Sequence, residues 1–181
     1  MQREASDQVA DVSVIIPAYR AERTIGAALN SVAQQTVRPY KIIVVDDGSD
    51  DGTADTVDAH KHQFGNGRLE LIVQQNQGPG AARNAGLRRS TSRFVAFLDS
   101  DDQWYPDHLK FSLEKLQEHD LTLSAHNEIL LKDGVESLND SLSRLCEHRG
   151  DKEIQHHVTR CTIGKTGQIS AYGPAALRLI D

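Results

Sequence analysis

Phe94-Val95-Ala96-Phe97-Leu98 runs directly into Asp99-Ser100-Asp101-Asp102, and no other stretch so narrows what this chain can fold into. Five apolar residues, rich in β-formers and bounded by polar ones, read as a strand buried on both faces, the kind found in parallel sheets. Three carboxylates then fall within four positions. At a spacing of about 4 Å, each pair repels by about 1 to 4 kcal/mol across effective dielectrics of 80 to 20. Such a cluster calls for a cation. Ligands of open α/β sheets gather just outside the carboxyl ends of the strands, so a divalent cation carrying an anionic ligand is the natural occupant. Oxygen-only ligands favour Mg²⁺ or Mn²⁺ over zinc. An isolated Asp-x-Asp is more often a solvated acidic turn, and the other strands decide between the two.

Val12 to Ile16 reads as the first buried strand, stopped by Pro17, with Ala18-Tyr19-Arg20-Ala21 as the loop beyond it. From Glu22 to Gln35 the positions Ile25, Leu29, Val32 and Ala33 share one helical face. Pro39 ends that helix, and Lys41 to Val45 is a second strand with a run of β-branched residues. A strand, a helix and a strand in this order make a right-handed βαβ unit. The second strand runs out into Asp46-Asp47-Gly48-Ser49-Asp50-Asp51-Gly52-Thr53. Parallel neighbours present their C-terminal ends at one edge, so this acidic cluster and the one at Asp99 face the same crevice. Ser49, Asp50 and Thr53 read as caps of a helix running to Phe64, which leaves Asp47 unexplained.

Leu69 to Val73 is a third strand, followed by Gln74-Gln75-Asn76-Gln77-Gly78-Pro79-Gly80-Ala81-Ala82-Arg83-Asn84-Ala85-Gly86. Gly78 and Gly80 permit close backbone approach, and the helix they open presents free N–H groups suited to a phosphate. The loop fits neither a Walker motif nor a dinucleotide fingerprint. Arg83, in the first turn of that helix, is placed either to contact a phosphate or to form a surface salt bridge. Trp104 and Tyr105 could stack on a sugar or wall off the core. Asp107 to Glu118 is a helix, while Leu121 to Ser124 and Glu128 to Leu131 are strands, the latter turning at Lys132-Asp133-Gly134. Val135 to Cys146 allows an amphipathic helix, and His148 to Asp181 shows no sustained period. His156 and His157 are adjacent and share no face, which argues against a metal site there.

A length of 181 residues suits one domain. A net charge of -6 offers no basic surface and speaks against nucleic-acid binding. No apolar run approaches a membrane span, and Met1 to Asp11 lacks a signal-peptide core, so a cytoplasmic protein is expected. Cys146 and Cys161 have no metal-ligand spacing and are expected to be free thiols.

Four motifs together resemble glycosyltransferase family 2. They are Val12-Ser13-Val14-Ile15-Ile16-Pro17-Ala18-Tyr19, Ile43 to Thr53, Asn76 to Gly86, and Phe97 to Asp102, in the family's order and spacing. The resemblance implies an α/β protein of the GT-A fold, a Rossmann-like three-layer α/β/α arrangement with a mainly parallel central sheet. It implies a tail over 1–11, a nucleotide-sugar-binding domain over 12–135, and a divergent or truncated segment over 136–181. Pro17, Ala18 and Tyr19 resemble the loop that packs on the nucleotide base, and Asp47 the carboxylate that reads the base edge. Gly80 and Arg83 match the part that approaches the diphosphate. Asp99, Ser100 and Asp101 look like the family's D-x-D, with Asp99 and Asp101 as metal ligands and Asp101 the direct one.

The implied reaction is metal-dependent transfer of a sugar, with inversion, from a nucleotide-diphosphate donor to an acceptor hydroxyl. Mg²⁺ or Mn²⁺ would be the cofactor and a UDP-sugar the donor. A glycan or lipid-linked molecule would be the acceptor, in polysaccharide or cell-surface glycan assembly, with possible contact at the inner face of the membrane. The family's catalytic base lies well downstream in a Glu-Asp motif, and nothing from Gly134 to Asp181 matches it. Asp133, Asp140, Asp151 and Glu153 are available carboxylates, and none is assigned as base. The alternative is a catalytically incomplete nucleotide-sugar-binding remnant. A nucleotidyltransferase would need a glycine- and lysine-rich loop where Pro17-Ala18-Tyr19 stands.

Overall fold

The computed structural model describes residues 9–65 and 67–118, together with the strand segments 128–132, 135–139, 163–164 and 178–179. Four parallel strands form the centre: β1 (Val9–Ala18), β2 (Arg38–Asp46), β3 (Leu69–Val73) and β4 (Phe94–Phe97). They lie in the order β3-β2-β1-β4, and β8 (Arg178–Leu179) adds an antiparallel edge beside β4. Between them run α1 (Ile25–Ala33), α2 (Thr53–His60) and α3 (Pro79–Arg89), and α4 (His108–Glu118) follows β4. The chain moves outward from β1 to β3, then crosses back to place β4 on the other side of β1. The order therefore reverses between β1 and β4, and the crevice outside such a switch point is where open α/β sheets bind ligands.

The run Ile42-Ile43-Val44-Val45 shows why the strand is central. Ile42 and Val44 enter one core with Val14, Ile16, Leu29, Val32 and Leu109. Their neighbours Ile43 and Val45 enter a second core with Ala82 of α3. Burial on both faces leaves no room for polar alternation. On the second face Gly86 lets α3 settle onto β1, since a Cβ built there would stand 2.5 Å from Ile15 Cγ2.

Several expectations change. Pro17 does not stop β1, which continues to Ala18 with Pro17 paired to Val45. Ile15 O accepts from Leu98 N on the β4 side, and Ala18 O from Asp47 N on the β2 side. Alternation turns the polar groups of Pro17 toward β4, two residues beyond the last paired residue there, Ile15, so its missing N–H breaks no pair of that ladder. Likewise Pro39 lies inside β2, and α1 has already ended at Ala33. The second helix gives way after His60 to a 3-10 turn, Lys61–Phe64.

The expected helix from Val135 begins instead as a strand. β6 (Val135–Asn139) pairs antiparallel with β5 (Glu128–Lys132), and β7 (Ile163–Gly164) lies on the far side of β5. Cross-strand pairing overrides the weak helical period of five residues. Leu121 to Ser124, Asp133 and Gly134, the stretch 140–146 and most of His148 to Asp181, with His156, His157 and both cysteines, lie outside the described residues.

The segment after the acidic turn is stapled to α1. Buried Gln35 donates to Tyr105 O at 2.7 Å and accepts from Leu109 N at 3.0 Å, and Trp104 N donates to Ser31 Oγ at 3.1 Å. Trp104 is buried in the first core and stacked on His108 with ring centroids 4.3 Å apart, so it walls the core.

Candidate functional site

Beyond β4, Asp102 N donates to Asp99 O at 3.0 Å and closes a turn that carries Asp99, Ser100 and Asp101. These three line a cavity of about 200 Å³ together with Pro17, Ala18, Tyr19, Asp47, Pro79, Ala82 and Arg83. The cavity opens at the C-terminal ends of β1, β2 and β4, as the reversal of strand order requires. Every candidate binding residue from the sequence lies on it except Gly80, which is helical in α3 and has open space where its Cβ would stand. Pro79 and Ala82 line it in addition to the residues that the sequence motifs point to. Their spacing of three, with Arg83 one further on, puts all three on one helical face, and that period was the available signal.

Arg83 is the fifth residue of α3, one turn deeper than the sequence places it. Its Nη2 donates to Asp99 Oδ1 at 2.5 Å, with the two side chains 21% and 35% exposed. The two sequence alternatives for Arg83 therefore coincide: it forms a salt bridge, and it does so on the cavity wall. The cation that the carboxylate cluster called for is, at Asp99, a guanidinium.

Asp47 is almost fully buried, at 3% exposure. Its Oδ2 accepts from Gly78 N at 2.7 Å, and its Oδ1 from Gln77 N at 3.0 Å and Gln74 Nε2 at 2.7 Å. The carboxylate thus ties the end of β2 to the loop that opens α3. Gly78 holds a φ of 89°, a conformation suited to glycine, and starts the helix with Pro79 at its first position. Ala82 N makes the first helical bond, to Gly78 O at 3.2 Å. The N–H groups of Gly80 and Ala81 precede it and point out of the helix start, the arrangement that suits an anion.

Ser49, Asp50 and Thr53 do not cap α2, whose N-cap is Gly52 without a side-chain bond. Their polar atoms reach instead to the loop after β1: Ser49 Oγ accepts from Arg20 N, Asp50 takes the Arg20 guanidinium, and Thr53 Oγ1 accepts from Ala21 N. The Arg20 bond holds the Asp50 carboxyl below the usual carboxylate range, and the Thr53 hydroxyl does the same for Asp51.

Three carboxylates, Asp47, Asp99 and Asp101, thus share the cavity with one guanidinium. Asp47 is satisfied by N–H donors, and the other two carboxylates stand together on the Asp99 turn. Among the described residues no group of three or more His, Cys, Asp or Glu side chains forms a metal cage. Two carboxylates on one turn suit a cation that takes its other ligands from a phosphate and water, as Mg²⁺ does. A second cavity, about 370 Å³, is lined by Val32, Ile42, Phe64, Arg38 and Arg68 among others. It is larger, yet it lies at the opposite strand ends and has no carboxylate.

A mainly parallel sheet in this order, with an acidic turn and a helix start meeting at its switch point, defines the GT-A class of fold. Solved structures agree: Staphylococcus aureus TarS 1-349 in complex with UDP-GlcNAc matches with a TM-score of 0.61 and 30% identity, over 72% of this chain and 37% of that one. The chain belongs to glycosyltransferase family 2, whose model, described as glycosyl transferase family 2, matches residues 13–168. Among curated relatives, the succinoglycan biosynthesis protein ExoW of Rhizobium meliloti is 43% identical over 115 residues, 62% of this chain and 36% of the relative. The UDP-Glc:alpha-D-GlcNAc-diphosphoundecaprenol beta-1,3-glucosyltransferase WfgD of Escherichia coli is 35% identical over 117 residues, 64% of this chain and 45% of the relative. The chain thus spans less than half the length of these relatives.

Proposed function

We propose that the cavity is the donor site of an inverting glycosyltransferase that uses a UDP-sugar. The observation that carries this reading is the meeting of the Asp99 turn, Arg83 and the α3 start with Tyr19 and Asp47 in one crevice. The WfgD and TarS descriptions, which name UDP-Glc and UDP-GlcNAc, support the choice of nucleotide. Ligand sites that enclose a small molecule measure about 300 to 1,000 Å³. At about 200 Å³ the described walls would take the nucleotide end of the donor.

In this reading Tyr19, with Pro17 and Ala18, packs on the base, and Asp47 lies at its edge and holds the wall behind it. Arg83, which lines the cavity, approaches the diphosphate, with the α3 start at Pro79 beside it. Asp99 and Asp101, which both line the cavity, would hold Mg²⁺ or Mn²⁺, with Asp101 as the direct ligand. Bound there, the cation would supply positive charge to the departing diphosphate. Arg83 does the same from the protein side, and fixed charge aimed at a leaving group usually contributes more to such catalysis than any other effect. The acceptor oxygen bonds to the anomeric carbon as its bond to the β-phosphate oxygen breaks, and UDP leaves. The hydroxyl proton passes to a base on the acceptor side, which no described residue is assigned to be.

The acceptor we propose is a glycan or a lipid-linked sugar in polysaccharide or cell-surface glycan assembly, as the names of the relatives indicate for them. Among the described residues no helix is long and apolar enough to cross a membrane. A cytoplasmic location with peripheral contact at the inner membrane face belongs to the same proposal.

Calorimetric titration of nucleoside diphosphates into the purified chain tests the reading. UDP should bind with Mn²⁺ present, weaken at least about tenfold with a chelator, and weaken similarly in Asp101→Asn, equivalent to about 1.4 kcal/mol. UDP binding that ignores both the chelator and the substitution would remove the metal from this site.

A further inference from the structure

Arg20 follows Tyr19 out of β1 and has a φ of 50°, making it the one non-glycine residue with positive φ among the described residues. Glycine and asparagine enter that region readily, and a long side chain does so only when its surroundings hold it. Here they do. Arg20 N donates to Ser49 Oγ at 2.9 Å, and Ser49 in turn donates to Asp46 Oδ1 at 2.5 Å. Nε and Nη2 of Arg20 grip the two oxygens of Asp50 at 2.7 and 2.8 Å. Its Cζ stands 5.2 Å from the centroid of the Tyr19 ring. Either side of this grip, Ala21 N donates to Thr53 Oγ1 at 2.8 Å and Gly52 N to Glu22 Oε2 at 3.2 Å.

The ion pair itself does little for stability. The Arg20 and Asp50 side chains are 57% and 69% exposed, and an ion pair so open to water adds only modestly to folding. A strained backbone and a two-pronged ion pair of low stabilising value are found together beside a ligand cavity. Tyr19, which lines that cavity, is itself 46% exposed and has Arg20 packed on its ring.

We propose that Arg20 is a positioning residue: clamped by Asp50, it fixes the Tyr19 ring as the wall on which the base of the nucleotide packs. The proposal rests on the reading of this cavity as the nucleotide site. Arg20 then acts on the base and not on the phosphates, and its guanidinium charge is already matched by Asp50. Strain at Arg20 and the exposed clamp have one explanation, the placement of its neighbour.

The test compares UDP with inorganic pyrophosphate, both with Mn²⁺, in calorimetric titrations of the wild type, Arg20→Gly and Asp50→Asn. Glycine adopts the Arg20 backbone without strain, so Arg20→Gly removes the guanidinium and keeps the loop. UDP should bind about three- to tenfold more weakly in each variant, the worth of one ordered aromatic contact. Pyrophosphate affinity should stay within about twofold of wild type, roughly the scatter of such measurements. The double variant should be no worse than either single one, because both break the same clamp. Unchanged UDP affinity in Arg20→Gly, or equal loss for pyrophosphate, would overturn the clamp while leaving the cavity its nucleotide. Failure of the wild type to bind UDP would overturn the reading of the cavity and the clamp with it.

Discussion

Gly80 and Gly86 stand six residues apart in one helix and do opposite things. A Cβ at Gly86 would meet Ile15 Cγ2 at 2.5 Å, whereas one at Gly80 would meet nothing within 4 Å. Gly86→Ala should therefore push α3 off β1 and cost about 1 to 3 kcal/mol, the usual range for overpacking. Gly80→Ala should leave stability unchanged or raise it by up to about 1 kcal/mol, since alanine is the better helix former. Urea denaturation of both variants checks this, and a stable Gly86→Ala with a destabilised Gly80→Ala would reverse the assignment. The sequence puts both glycines in one motif without distinguishing them. It could not do so, because the difference lies in the distance to β1, which only the packing sets. Asp47 is similar. Its place after a strand marked it as special, but its bonds to Gln74, Gln77 and Gly78 depend on a loop some thirty residues away.

At the scale of elements, Glu70 of β3 joins Lys41 of β2 to Arg89 near the end of α3, with Arg89 Nε 2.5 Å from Glu70 Oε1. Burial pushes the Glu70 carboxyl up, but the bonds from Lys41 and Arg89 outweigh it and leave the group below its ordinary value. A carboxylate lowered in the folded state contributes stability above its unfolded pKa, about 4.3, and loses it as pH falls through the folded value. Glu70→Gln should cost about 1 to 2 kcal/mol at pH 7, and the difference from wild type should close as the pH drops below about 4. Denaturation curves at several pH values read this directly, and an equal gap at pH 7 and pH 3 would contradict it.

Elements themselves are legible where one period dominates: the buried runs of β2 and β4, the apolar run of the edge strand β3, and the apolar faces of α1 and α4. They were misread where a neighbour decided. Pro17 is tolerated because the β4 ladder has already ended, and β6 is a strand because β5 is there to pair with it. Ser49, Asp50 and Thr53 have the composition of helix caps, and the loop after β1 takes their polar atoms instead.

For the whole molecule, the order β3-β2-β1-β4 is the decisive fact, because it brings the ends of β1, β2 and β4 and the start of α3 to one crevice. The motifs announced that convergence because each follows directly on a strand whose direction the βαβ connections fix. On the proposed function, the crevice between the Asp99 turn, Arg83 and Tyr19 holds the diphosphate nucleotide. A crystal structure of the chain with UDP and Mn²⁺ tests it most directly. The expected result is the diphosphate against Arg83 and the metal at Asp101, with the base beside Tyr19 and Asp47. Nucleotide bound instead in the larger cavity beside Arg38 and Arg68, with this crevice empty, would contradict it.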